Sequence, residues 1–562
     1  MQALISRASF GCSFIVANYD LKAAHSSKTL ASANWYNQRR GPDATNWATK
    51  DGWSFVHNLL SMTGAVTLQP FVNGSVVAIF NGEVYNYREL ALELTGNLDA
   101  FASDGYSLLP AYRRWGEGFV RRLNGEFAVV IVDFARREVL LSPDVFGTKP
   151  LWYAIWQPSP IGRQAADRKL QTANRGSGSR FIATSYESVL IGLGVPHKQR
   201  RMATPNNALV ISFDSFTAGR SEVGHSSKAS RSVRAFVPPG ARWFPLKVWD
   251  LRQYKTDTAD WEAAFLRSVQ RRTKRLKHRV FIGLSSGYDS GAIDLALKVL
   301  HQPHLAISME GTEDQTVLAQ RGELLGADWI KLIVSMSSFE RQMVWLDKHI
   351  EEYRSIHYSG TNQSSHRSPT FTITNERPAI GLSLIISAAR PLSGLVYLSG
   401  QGSDEIISDY SDGPGRCFMS TSCNFDGRFP ANLSTIFPWR NFYGGLNRAN
   451  LMREELTAGA HGVEGRYPFL DPEVVQENLW LHQDVKNSEY KRPVADFIRK
   501  HNYPNAYHFK SGFTVFRGHM SQWKRMAKTS RAQASRREST LQSKDKILRH
   551  SDASSRDETP VR

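Results

Sequence analysis

Two rhythms of hydrophobic and polar positions divide this chain. Up to about residue 215, short apolar runs alternate with Gly-rich turns. Val76-Val77-Ala78-Ile79-Phe80 stops at Asn81-Gly82, and Phe127–Phe134 lies between Asn124-Gly125 and Arg136-Arg137. Closely spaced short strands of this kind predict an antiparallel, sheet-rich domain over residues 12–215. Two polar stretches, Gln157–Arg180 and Thr217–Ser232, read as loops. From about Asp257, helix-like stretches alternate with strand-like runs at Val280–Leu284, His304–Ser308, Trp329–Val334 and Gly394–Leu398. That alternation predicts a parallel-sheet α/β domain over residues 250–520, with crossover helices. Ser411–Asn432, rich in Gly, Ser and Pro, reads as a long surface loop, and residues 521–562 as a basic, disordered tail.

Composition narrows the class. At 562 residues with 41% hydrophobic positions, the chain is long enough for two or more packed cores. No apolar run approaches the length of a membrane span, so a soluble protein is expected. The segment Met1–Gly11 lacks the apolar core of a secretory signal. Three cysteines in so long a chain make no disulfide framework, which predicts a reducing, cytoplasmic setting. Cys417 and Cys423 have no His or Cys pair beside them, so they are read as ordinary loop cysteines rather than a zinc site. Seventy Lys and Arg against 52 Asp and Glu give a net charge of +18. Such an excess suits nucleic acid or anionic substrates such as ATP. Much of it lies in the tail and in Arg271–Arg279, read as a solvated helix face, and nucleic acid is not the expected partner.

The chemistry begins where strand meets helix. Val280–Leu284 runs directly into Ser285-Ser286-Gly287-Tyr288-Asp289-Ser290, before a helix expected over Gly291–Leu300. A turn of small residues at a helix N-terminus presents N–H groups to an anion, and the serines add hydroxyls. Asp289 beside a phosphate implies a bridging cation, Mg²⁺. The Gly-Lys-Ser/Thr ending of a Walker A loop is absent. A second buried strand, Val396-Tyr397-Leu398, leads into Ser399-Gly400-Gln401-Gly402-Ser403-Asp404-Glu405. In an open parallel sheet both strand ends face one crevice, where Asp289 and Asp404 would share metal ions on a polyphosphate.

These residues resemble a family. Ser285–Ser290 is similar to a Ser-Gly-Gly-x-Asp-Ser pyrophosphate loop, with Ser286 in place of the first Gly. Ser399–Glu405 with Tyr410, and Glu464-Gly465-Arg466-Tyr467-Pro468-Phe469-Leu470-Asp471, resemble two further signatures of glutamine-dependent asparagine synthetases. In the N-terminal half, Arg40-Gly41-Pro42-Asp43, Asn81–Asn86, Ser103-Asp104, Gly147 and Pro150–Tyr153 resemble the class II glutamine amidotransferase domain. The resemblance runs in order from Cys12 to Thr514. It implies an N-terminal-nucleophile α+β sandwich followed by a nucleotide-binding α/β domain. The implied reaction converts aspartate to asparagine through an aspartyl-adenylate, with ATP and Mg²⁺, using ammonia that an internal tunnel delivers from glutamine. A homodimer is compatible with it, and no membrane partner is expected.

By position, Cys12 is the nucleophile and Asn81 and Gly82 the oxyanion hole. Leu60, Ser61, Glu83 and Asp104 complete the glutamine pocket, Asp104 pairing with the α-ammonium. Leu284, Ser285, Gly287, Asp289, Ser290, Ser308, Ser399 and Gly400 would hold ATP. Lys510 would stabilise charge on the adenylating phosphate.

Three departures from the family pattern shape the expectation. The family's nucleophilic Cys is N-terminal, because its free amine takes the thiol proton. Cys12 is preceded by eleven residues, so a mature chain beginning at Cys12 is expected. A mis-assigned start and an inactive glutaminase are the alternatives. Leu59 stands where the family has an Arg for the glutamine carboxylate, so another cation must substitute or glutamine binds weakly. Gln401 replaces a Glu, and an amide accepts no proton at neutral pH. Alternative functions are a related ligase activating another carboxylate and a non-catalytic, RNA-interacting relative.

Overall fold

The computed structural model describes residues 12–62, 66–157, 179–216, 240–311, 313–351, 353–355, 371–372, 377–411, 423 and 425–506. Met1–Gly11, nearly all of the two polar stretches, Cys417, Lys510 and the basic tail lie outside the described residues.

The N-terminal half is built from two six-stranded antiparallel sheets. The first runs, in spatial order, Arg201–Met202, Trp152–Trp156, Arg180–Thr184, Ser13–Ala17, Trp53–Leu59 and Ala44–Lys50. The second runs Arg242–Pro245, Asn207–Ser212, Glu138–Pro143, Gly125–Asp133, Val76–Val84 and Phe71–Asn73. Its edge strand Arg242–Pro245 carries this half past residue 215. Alternate side chains meet between the sheets, where Phe14, Val16 and Phe55 of one face Val77, Ile79 and Val130 of the other. Their neighbours Ile15, Ala17, Ala78 and Phe80 point outward, yet are also covered, by Leu21, Leu30 and Val189 on one side and Leu90, Leu108 and Tyr112 on the other. Burial on both faces explains why these strands read as unbroken apolar runs. The result is a four-layer α/β/β/α sandwich. The strand that begins at Val76 does not stop at Asn81-Gly82: it continues to Val84, with Gly82 opposite Phe127 and Glu83 opposite Glu126.

The C-terminal half holds a five-stranded parallel sheet in the order Trp329–Leu332, His304–Met309, Arg279–Gly283, Gly394–Leu398 and Glu464–Arg466. Connections lead away from Arg279–Gly283 in both directions, so the order reverses between that strand and Gly394–Leu398. Ligands bind at such a reversal, outside the carboxyl ends of the strands. Here those ends carry Ser285–Ser290 and Ser399–Glu405. The helix after the first loop begins earlier than expected, at Tyr288, and ends at Val299. Asp289 and Ser290 therefore stand in its first turn. No helix among the described residues is long and apolar enough to cross a membrane.

Two local expectations fail. Arg272 is no solvated residue: it is 2% exposed and donates to Glu126 and Asp471 at 2.7 and 2.9 Å. Cys423 is disulfide-bonded, whereas Cys12 is free.

The halves meet across buried charges. Glu455, from the helix Gly445–His461, accepts from Arg40 Nη2 (2.6 Å), Lys149 Nζ (2.8 Å) and Tyr467 Oη (2.8 Å). Burial works to raise the Glu455 carboxyl, and Lys149 and Arg40 outweigh it, holding it below its ordinary value. The stabilisation this implies is complete above the ordinary carboxylate pKa and is lost as pH falls through the lower folded one. Glu455→Gln strands a buried cation pair and is expected to cost about 3–5 kcal/mol. Denaturant unfolding at neutral pH checks this; a loss under about 1 kcal/mol, the scale of an exposed pair, would contradict it.

Candidate functional site

Cys12 lies directly before the strand Ser13–Ala17, at the end of the sandwich that faces the second half. Its Sγ receives Leu60 N at 3.3 Å and lies 3.4 Å from Leu60 O. Burial pushes the thiol well above the ordinary range; the Leu60 contact opposes that, while Glu464, Glu83 and Asp104 add to it. Arg40, closing the helix Trp35–Arg40, donates Nε to the Cys12 carbonyl at 3.0 Å and to Asn81 Oδ1 at 3.4 Å. With its oxygen held, the Asn81 amide is left with Nδ2 buried and without a partner. An orphan donor of this kind calls for an acceptor from outside the chain. Gly82 beside it has φ +119°, and a Cβ there would lie 1.9 Å from Glu126 O. Only glycine brings the backbone this close.

Asp104 accepts from Val84 N and Gly105 N, both at 2.9 Å. Burial pushes its carboxyl up to about 6, the two N–H groups opposing, Glu464 adding and Arg466 opposing again. Glu83 lies 3.4 Å from Arg466 Nη2. Leu59 is a core residue, so no charge stands at that position. A cation nevertheless reaches the neighbourhood: Lys277 Nζ donates to Ser61 Oγ at 2.5 Å, while Ser61 N donates to Asp43 Oδ2 at 3.0 Å. The basic run read as a solvated face thus supplies a lysine to the pocket rim.

In the second half, the three leading N–H groups of the Ser285–Ser290 loop are each held by a side-chain oxygen. Ser285 N donates to Ser290 Oγ (3.0 Å), Ser286 N to Glu313 Oε2 (2.9 Å) and Gly287 N to Ser285 Oγ (3.2 Å). The Ser286 hydroxyl also donates to Glu313, at 2.6 Å. One carboxylate oxygen thus takes both the N–H and O–H of Ser286, contacts that suit a phosphate oxygen. The loop carbonyls turn the other way, because Arg321, fully buried, donates to Ser285 O and to Gly287 O (3.1 Å). Ser308 lies beside the loop, its hydroxyl donating to Leu284 O (2.8 Å) and accepting from Trp329 Nε1 (3.0 Å). That hydroxyl is committed to protein partners.

Asp289 and Asp404 do converge. Between them lies Lys491 Nζ, 2.6 Å from Asp289 Oδ1 and 2.8 Å from Asp404 Oδ1. Tyr490 Oη donates to the same Asp404 oxygen at 2.7 Å. Burial works to lower the Lys491 ammonium and the two carboxylates more than reverse this. Gly400 packs against Asp289 so closely that a Cβ would lie 2.8 Å from the Asp289 Cβ. Ser399 N donates to Arg466 O (2.9 Å), and its hydroxyl accepts from Gln401 N (3.0 Å). Gln401 Nε2 donates to Asn447 Oδ1 at 3.2 Å. Glu405, in a single π-helical turn, accepts from Gly402 N at 3.0 Å and from Tyr410 Oη. Among the described residues no three His, Cys, Asp or Glu side chains form a metal cage. A cation at Asp289 and Asp404 would take its remaining ligands from phosphate and water, as Mg²⁺ ordinarily does.

The structure thus gathers Cys12, Asn81, Gly82, Glu83, Leu60, Ser61 and Asp104 at one place. It gathers Leu284, Ser285, Gly287, Asp289, Ser290, Ser308, Ser399, Gly400, Gln401 and Asp404 at another. Sequence reasoning gave no role to Arg321 or Lys491, which lie far along the chain in unremarkable helical surroundings. Arg40 was within reach, in Arg40–Asp43, whereas Glu455 stands in a helix whose mixed polar and apolar sequence gives no sign of its burial.

Residues 12–170 match the glutamine amidotransferase domain family. The chain is 25% identical, over 79% of its length and 72% of the relative's, to a protein described as a glutamine-hydrolysing asparagine synthetase from Methanocaldococcus jannaschii. It is 28% identical to one so described from Mycobacterium tuberculosis, over 69% of this chain, and spans 58% of that protein's length. The glutamine-hydrolysing asparagine synthetase of Gallus gallus is 23% identical over 80% of this chain and 73% of its own.

Removing the guanidinium that holds the loop carbonyls should loosen the Ser285–Ser290 loop. Arg321→Met is expected to weaken pyrophosphate binding about tenfold, equivalent to about 1.4 kcal/mol, measured by calorimetric titration. Unchanged affinity would show that the loop holds its shape without Arg321.

Proposed function

We propose that this chain, built on a glutamine amidotransferase domain over residues 12–170, is an ATP-dependent amide ligase. In this reading it takes nitrogen from glutamine and adenylates a carboxylic acid, with aspartate the substrate and asparagine the product. The observation that carries the reading is the convergence of the Ser285–Ser290 and Ser399–Glu405 loops, with Asp289 and Asp404, at the sheet's point of reversal.

In the first site, Cys12 Sγ attacks the glutamine side-chain carbonyl. The free Asn81 Nδ2 and the Gly82 N–H receive the developing oxyanion. The thiol must first lose its proton, against burial and three nearby carboxylates. A chain cut before Cys12 provides the acceptor, since its free amine lies on the same residue as the thiol. Asp104 holds the substrate α-ammonium, and Lys277 replaces the missing arginine at the α-carboxylate.

In the second site, the substrate carboxylate attacks the α-phosphate of ATP and pyrophosphate leaves. The loop N–H and hydroxyl groups receive the pyrophosphate as Glu313 gives way, and Lys491 is placed to follow its charge. Bound at Asp289 and Asp404, Mg²⁺ would neutralise polyphosphate charge. Ammonia then displaces AMP. A related ligase acting on another carboxylate is the second reading, favoured by Gln401, whose amide is turned to Asn447.

The decisive assay is pyrophosphate release across candidate acids with glutamine supplied. Release with aspartate, and its loss by more than about 10²-fold in Asp289→Asn, the scale of a lost electrostatic contact in a transition state, is the expected result. Release only with another acid would move the reading to the second alternative, and none with any acid would end it. Because Asp104 must be ionised to hold an ammonium, the KM for glutamine should rise as pH falls through about 6. Lys277→Met should raise that KM about tenfold, equivalent to about 1.4 kcal/mol. A flat pH profile or an unchanged KM in steady-state glutaminase assays would remove these two residues from the pocket.

A further inference from the structure

The helix Gly445–His461 carries two adjacent glutamates with opposite circumstances. Glu455 is fully satisfied and faces Arg40, which holds Cys12 and Asn81. Glu454, next to it on the same helix, lies within reach of the Ser399–Glu405 loop, where Ser399 helps to hold its carboxyl down. Its Oε2 is buried and has no hydrogen-bond partner. A buried carboxylate oxygen without a donor costs stability, and calls for a proton or a donor from outside the fold. The same loop carries Gln401, whose amide donates to Asn447 and accepts no proton at neutral pH.

We propose that Glu454 is the proton acceptor for the nitrogen that attacks the activated acyl group. The inference rests on the reading of the chain as an adenylating amide ligase. As ammonia adds to the acyl carbon, a C–N bond forms and the nitrogen becomes positively charged. One N–H proton passes to a Glu454 oxygen. The bond from the acyl carbon to the phosphate oxygen breaks, AMP leaves with that electron pair, and the amide remains. The position is apt: Glu454 is one residue from the contact that reaches the glutaminase pocket, and Ser399 of the loop acts on its carboxyl.

The surroundings suit the role. Burial pushes the Glu454 carboxyl up to about 7, with Ser399 and Arg453 opposing and Glu405 and Glu455 adding. Tyr397 and Tyr467 are the other titratable groups that face it, and both are themselves held protonated by burial. A base poised near the working pH takes a proton in the transition state and can return it to solvent afterwards.

The test uses Glu454→Gln in the full chain, with the amount of amide formed per pyrophosphate released as the readout and glutamine as nitrogen source. The ratio is expected to fall about 10²-fold, the usual scale of one proton-transfer group. In the wild type the ratio should rise with pH through about 7, and in the variant that rise should vanish. The variant's Tm should not fall, because glutamine keeps the shape and removes a buried charge. Adding Gln401→Glu to the variant should restore amide formation in part, by returning a carboxylate to the loop. An unchanged ratio with an unchanged pH profile overturns the assignment. If the wild type itself releases no pyrophosphate with any acid, the ligase reading falls and takes this role with it, a result distinct from a selective loss in the variant.

Discussion

Glu455 is the fixed point around which the two halves are arranged. A carboxylate with no solvent exposure survives only if every nearby charge and donor is matched to it. Arg40 and Lys149, from the sandwich, and Tyr467, beside the last strand of the parallel sheet, do this at 2.6–2.8 Å. Around that contact, Arg272 ties Glu126 to Asp471 and Arg466 ties Glu464 toward Glu83. Sliding one half against the other would strand several of these charges together, so the constraint sets a relative placement as well as a stability.

The same contact places the chemistry. Arg40 gives both Nη atoms to Glu455 and its Nε to the Cys12 carbonyl and the Asn81 oxygen, which leaves the Asn81 N–H free. Glu126, which Arg272 holds, is the residue whose carbonyl permits only glycine at position 82. On the far side, Arg466 O receives Ser399 N, so the interface strand also sets the second loop. Both candidate sites therefore hang on one buried set of ion pairs, and neither geometry is independent of the other half.

Much of this was legible in the sequence because it is local. Strand-to-loop transitions at Leu284 and Leu398 announce themselves by the end of an apolar run and the onset of small residues, and the parallel sheet follows from their alternation with helices. Asn81, Gly82 and Asp104 could be placed because they sit in short ordered motifs. The strand ending expected at Asn81-Gly82 failed because a turn signal was present, yet cross-strand pairing with Phe127 and Glu126 outweighed it. Arg272 was misread for a related reason. A charge in a basic run looks solvated until an acid from another domain is known to meet it. Lys491, Arg321, Lys277 and Glu454 act across more than a hundred residues or from plain helical positions, and no local pattern marks them.

In the proposed reaction the substrate carboxylate is activated by attachment to AMP. The most direct measurement supplies aspartate with ¹⁸O in its side-chain carboxylate, together with ATP and glutamine, and follows the isotope by mass spectrometry. One ¹⁸O should appear in the phosphate of AMP for each amide formed, because the bond broken in the last step lies between the acyl carbon and that oxygen. Unlabelled AMP, or label in inorganic phosphate alongside ADP, would contradict the adenylate and with it the role given to the two loops.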